Sequence, residues 1–160
     1  MQKLFIVLCL LVVTGFTTAA YHVINKEWIL LQKAEDSFSR KDYSEAIPYF
    51  TEAMERGAGK PQILLHLAES CLAAGRLKES RLLYERLLKE QPNNTSIIFT
   101  LADVHSRSGR FDDAVYLYRA ILHKDINNRK ARIQLARVLV WSGHFQEAIG
   151  EYKKALGEAT

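Results

Sequence analysis

Residues 109–122 read GRFDDAVYLYRAIL, and residues 75–88 read GRLKESRLLYERLL. The two stretches stand 34 residues apart and match in kind at ten of their fourteen places. The same register returns at 41–54 (KDYSEAIPYFTEAM) and at 143–156 (GHFQEAIGEYKKAL). Lys41, Gly75, Gly109 and Gly143 open the four copies, and Tyr43, Leu77, Phe111 and Phe145 follow two places on. Ala46, Ser80, Ala114 and Ala148 hold the small place. Four residues later come the aromatics Phe50, Tyr84, Tyr118 and Tyr152, and then Ala53, Leu87, Ile121 and Ala155. A fixed period of this length is the signature of stacked structural repeats.

The period extends upstream of each copy. Ala34, Ala68, Ala102 and Ala136 keep phase, and Leu67, Leu101 and Leu135 precede the last three. Leu64, Leu67, Ala68 and Cys71 recur at three- and four-residue spacing, which puts them on one helical face. Glycine tolerates the left-handed conformation of a helix end, so Gly75, Gly109 and Gly143 are expected to close the first helix. Ser44 and Asp112 are expected to cap the second. The small residue lets the two helices approach, and the aromatic fills the space between one unit and the next. Pro92 with Asn93 and Asn94, and Asn127 with Asn128, mark the joins. Pro48 falls early in a second helix, where a missing amide is best tolerated. One such unit cannot bury its apolar face alone, and about three or more are needed.

In these positions the chain resembles the tetratricopeptide repeat family, over everything after the N-terminal segment. The resemblance implies an all-α fold: a right-handed α-solenoid of four helix-turn-helix units, 27–60, 61–94, 95–128 and 129–160, forming a domain at 27–160. It also implies a concave groove, lined by the first helix of each unit, that binds other proteins or peptides. Mapped onto this chain, that face carries three in-phase rows: Leu31, Leu65, Phe99, Ile133; then Glu35, Glu69, Asp103, Arg137; then Phe38, Leu72, Ser106, Val140. The groove is thus apolar, with an acidic line and a basic end at Lys130, Arg132 and Arg137. It suits an extended or helical peptide with apolar anchors and a basic residue. Leu31, Leu65 and Ile133 read equally as groove or as packing between first helices. Phe99 and Trp28 read as groove, and Trp141 reads first as a packed helix terminus. Some family members hold a chaperone's C-terminal carboxylate on this face, and here Leu31, Leu65, Glu35 and Glu69 take those places.

The two ends depart from the pattern. Lys33 and Ser37 stand where apolar residues are usual, which predicts a wetter face for the first unit. In the fourth unit Arg132 replaces Leu64 or Ile98. The polar capping helix usual in the family is not apparent after Leu156, so the Ile149, Tyr152, Leu156 face is expected to be exposed or covered by another chain. Residues 131–143 of that unit resemble repeats of bacterial exopolysaccharide-export and outer-membrane proteins.

Residues 1–26 form a separate apolar segment, expected to be helical. Lys3 precedes the run Leu4–Phe16, LFIVLCLLVVTGF, and Thr17-Thr18-Ala19-Ala20 follows. This is the layout of a secretory signal. Leu4–Ile24 also approaches the length of an uncleaved membrane anchor. Both readings stand, and both export the repeats: the expectation is a periplasmic protein, or one anchored in the inner membrane with its repeats on the periplasmic side.

The formal net charge of +4 is too mild to point to nucleic acid. Cys9 and Cys71 cannot build a disulfide framework, and no C-x-x-C pair exists. No nucleophile elbow, Walker loop, dinucleotide fingerprint or H-E-x-x-H occurs. His22, His66, His105, His123 and His144 form no ligand pattern, and His105 shares the core phase of Cys71 and Leu139. The expectation is therefore a non-enzymatic scaffold or adaptor without cofactor, metal or small-molecule substrate. It would bind its partner in the groove, within a polysaccharide-export or other assembly of the bacterial envelope. The alternative is a structural protein that forms homo-oligomers through its C-terminal face.

Overall fold

Glycine, or a residue forced to behave like it, ends the first helix of each copy. Gly75, Gly109 and Gly143 have φ of 75°, 74° and 83°, and Lys41 takes φ 64° at the same place. In all four copies the next amide reaches back five residues: Asp42 N to Ser37 O, Arg76 N to Cys71 O, Arg110 N to His105 O and His144 N to Leu139 O, at 2.8–2.9 Å. This satisfies carbonyls that the helix end would otherwise orphan.

The computed structural model describes residues 14, 15, 17, 26–57 and 60–157. Nearly all of the expected N-terminal segment lies outside these residues. Among the described residues there is no strand, and no helix is long and apolar enough to cross a membrane. The helices are α1 (26–39), α2 (Tyr43–Glu55), α3 (Pro61–Ala73), α4 (Leu77–Glu90), α5 (Thr95–Arg107), α6 (Phe111–Lys124), α7 (Arg129–Trp141) and α8 (Phe145–Leu156). Short turns join them in pairs, so the fold class is the expected all-α stack of helix-turn-helix units.

The chain divides into two compact units, residues 1–63 and 64–160. In the first, Leu30, Ala34, Ala46, Ile47, Phe50 and Ala53 are buried. Phe38 meets Phe50 and Tyr43 edge-on, with ring centres 6.1 and 5.7 Å apart. Ser37 does not give this unit a wet face. It is buried, donates to Glu45 Oε2 at 2.9 Å, and that carboxylate also takes Arg40. A buried hydroxyl needs such a partner.

In the second unit α5 packs on α4 and α6, and α7 packs on α6 and α8. Ala102, Ala114, Tyr118, Ile121, Leu135, Val138, Leu139 and Ala148 form one core. The small in-phase residues have no exposed surface to speak of, and Ser80 spends its hydroxyl on Ala68 O at 3.0 Å across α3 and α4. Burying one ring such as Tyr118 contributes about 2 kcal/mol.

Two expected caps belong to other residues. Asp42, not Ser44, caps α2 by accepting from Glu45 N. Asp112 lies inside the first turn of α6, where its charge suits the helix N-terminus, and the N-cap place falls to Arg110 without a side-chain bond. The join residues Asn94 and Asn128 cap α5 and α7.

Candidate partner-binding face

The exposure of each in-phase row decides what it can touch. In the first unit Trp28 is 62% exposed, and Leu31, Glu35 and Phe38 are half-buried. In the second unit Leu65, Glu69, Leu72, Phe99, Asp103 and Ile133 are half-buried, and Arg137 is exposed. Other residues of the same helices, such as Leu64, Ile98 and Leu135, are buried. Leu65, Phe99 and Ile133 therefore border the core without being sealed in it. Ser106 is buried, so the third row does not present a continuous surface.

The tyrosines tie neighbouring first helices together. Tyr118 of α6 lies within electrostatic reach of Asp103 on α5 and Arg137 on α7, and Tyr84 of α4 lies close to Glu69 on α3 and Thr100 on α5. Burial, and then the neighbouring carboxylate, push both phenols well above their usual range. These rings stay neutral and act as the floor between helices. Phe99 meets Tyr118 edge-on at 5.4 Å. Lys130 of α7 places Nζ 4.5 Å from the centre of the Phe99 ring. Such a cation–π contact contributes about 0.5–1 kcal/mol at an exposed site.

Arg132 is not part of a basic end. It is 8% exposed, donates to Glu151 Oε2 at 2.7 Å and also to Ile126 O. A guanidinium placed among α7 and α8 core residues turns to the carboxylate there instead of to solvent. The cations left on the face are Lys130 and Arg137. Trp141 is 53% exposed and leans on Phe111 at 6.5 Å, so it is neither sealed nor free.

No metal-holding group of three or more His, Cys, Asp or Glu occurs among the described residues. His105 is buried as its phase predicts. Cys71 is buried, and burial pushes its thiol up to about 11, which leaves an inert side chain.

A tetratricopeptide repeat model matches residues 37–103. A second model, described as subunit 3 of the anaphase-promoting complex, cyclosome, matches residues 81–155. The chain is a tetratricopeptide repeat protein. Among solved structures, MamA of MSR-1 is 25% identical over 82% of this chain and 75% of its own, with a TM-score of 0.66. MamA of AMB-1 is 25% identical over 82% and 72%, with a TM-score of 0.68. YrrB, described as a tetratricopeptide protein with an unusual peptide-binding site, is 17% identical over 78% and 64%, with a TM-score of 0.72. No curated protein matches the chain.

Tetratricopeptide folds of this kind are interaction scaffolds. The structure adds two repeat features that spacing alone did not single out. Lys130 covers Phe99, which follows from α7 lying beside α5 and not from any motif. The outer helices also expose Leu82 (57%) and Tyr116 (73%), in phase with each other. On α8, Phe145, Ile149 and Leu156 are 59%, 49% and 65% exposed, whereas Leu122, the α6 equivalent of Leu156, is 6% exposed under α7.

Proposed function

We propose that this chain is a non-enzymatic adaptor that takes a peptide or partner segment on the α3, α5 and α7 face of its second unit. The observation that carries this reading is the half-buried set Leu65, Phe99 and Ile133, interleaved with the charges Glu69, Asp103 and Arg137. Apolar anchors inside a polar frame give a partner both affinity and register. The 1–26 segment, by its sequence, supports export, with the repeats in the periplasm or tethered at the inner membrane. A place in a polysaccharide-export or other bacterial envelope assembly is the corresponding context.

A photo-crosslinking amino acid at Phe99, in the full chain in cells, tests this. A discrete adduct from Phe99 and none from Tyr116 on the outer helices is the expected outcome. Equal labelling from both sites would remove the assignment of the face.

A second reading rests on α8. Its Phe145, Ile149 and Leu156 match the side that α7 covers on α6, and a second copy of the chain is a fitting occupant. Light scattering over a concentration series checks it. Ile149→Glu is expected to abolish any association, and a monomer at all concentrations removes this reading.

A further inference from the structure

The charges on the proposed face are laid out in order, and that order describes the ligand. Five carboxylates of the second unit are half-buried: Glu69, Glu85, Asp103, Asp113 and Glu151. Glu85 is paired with Arg81, Asp113 with Arg110 at 2.7 Å, and Glu151 with Arg132 and Lys154 at 2.7 and 2.9 Å. Glu69 and Asp103 have no ion pair among the described residues. They stand on α3 and α5, beside the buried rings of Tyr84 and Tyr118. A carboxylate that the fold leaves without a cationic partner can take one from a ligand as a charge-assisted hydrogen bond.

The other end is cationic. Arg137 is exposed and stands in no ion pair among the described residues. Lys130 rests over Phe99 at 4.5 Å, so it covers the aromatic anchor. A ligand carboxylate that draws Lys130 aside uncovers the Phe99 ring at the same moment. Acid recognition and apolar docking are therefore coupled through one side chain.

We infer that the segment bound on this face carries a cationic side chain for Glu69 and Asp103 and an acidic side chain for Lys130 and Arg137, with an apolar residue between them for Phe99. This rests on the reading of the face given above. Neighbouring packed helices lie about 10 Å apart and an extended chain advances about 3.3 Å per residue, so the two charges stand roughly three to six residues apart.

Three fluorescent ten-residue peptides of equal length test this against the full chain in mild detergent, by anisotropy. One carries two lysines, two leucines and two glutamates in that order with serines between. The second reverses the order, and the third replaces all charges by glutamine. One charge-separated peptide is expected to bind about tenfold tighter than the neutral one, with the advantage shrinking at high salt. Glu69→Lys with Asp103→Lys, and separately Arg137→Glu, are expected to erase that advantage while the far-ultraviolet dichroism stays unchanged. The milder Glu69→Gln is the substitute should the double variant misfold. If the neutral peptide binds as tightly as the better charged one, the charge inference falls and the face stands. If none of the peptides binds, the reading of the face falls, and this inference with it.

Discussion

Arg132 and Glu151 form an ion pair 2.7 Å long within the packing of α7 against α8, with side chains 10% and 17% exposed. Two of the other repeats carry Leu64 and Ile98 at the place of Arg132, so the pair replaces an apolar contact. Removing one member leaves the other charge half-solvated, which is costlier than replacing both. Glu151→Ala is expected to cost about 2–3 kcal/mol, and Arg132→Leu with Glu151→Leu less than about 1 kcal/mol. Urea unfolding of the three proteins checks this. Burial raises the Glu151 pKa, but hydrogen bonds from Lys154 and Arg132 outweigh it and hold it below its ordinary 4.5. Its stabilisation is therefore full above pH 4.5 and is lost as pH falls through the lowered value.

His105 acts with a different window. It is buried, its Nδ1 has no hydrogen-bond partner among the described residues, and Asp113 Oδ2 lies 3.7 Å away. Burial lowers its pKa below the ordinary 6.5, and Asp113 opposes that only in part. The unfolded chain then binds a proton more readily, so stability is complete above pH 6.5 and declines as pH falls from there toward the folded value. His105→Leu, the residue found at Leu139, is expected to flatten this slope. Unfolding midpoints at about pH 7.5 and about pH 5.5 compare the two proteins, and an unchanged slope would count against His105 as its source.

Lys41 occupies the left-handed turn position that glycine holds in the other copies, with φ 64°. Lys41→Gly is expected to stabilise the first unit by about 0.5–1 kcal/mol, less the entropy that glycine adds to the unfolded chain. Gly109→Ala, at φ 74°, is expected to cost about 1 kcal/mol although nothing lies within 4 Å of the added methyl. Thermal melts of both variants read the opposite signs.

Ala114 is fully buried between α5 and α6. Ala114→Trp has no space to occupy, and a loss of about 3 kcal/mol or more is expected as the helices are forced apart. A dichroism melt unchanged from the parent protein would contradict the close approach.

Phe99 is half-buried, edge-on to Tyr118 and covered by Lys130. Phe99→Ala is expected to cost about 1–2 kcal/mol, well below the 3–5 kcal/mol of a sealed aromatic. Binding of the charge-separated peptide should fall far more than stability does. Unfolding by more than about 4 kcal/mol would show that Phe99 belongs to the core.

Most of the fold was written in the order of residues. A 34-residue recurrence of glycine, small residue and aromatic dictates where helices stop, where they touch and what fills the join. Local sterics and the helical period suffice for that, because each unit repeats the same short-range problem. Even Lys41 was legible, since its phase placed it at a glycine's station. The caps of α2 and α6 fall two residues before the expected places, and at α2 this is because Asp42 and Ser44 are both good caps and only the backbone turn chooses between them.

What the tertiary structure alone decided is the fate of individual charges. Arg132 and Arg137 lie five residues apart on one helix, and composition does not say that one pairs inward with Glu151 while the other faces out. Nor does it say that Glu85 finds Arg81 while Glu69 and Asp103 find no ion pair among the described residues. Pairing depends on distances of a few ångströms between side chains on different helices, and those distances exist only once the helices are packed.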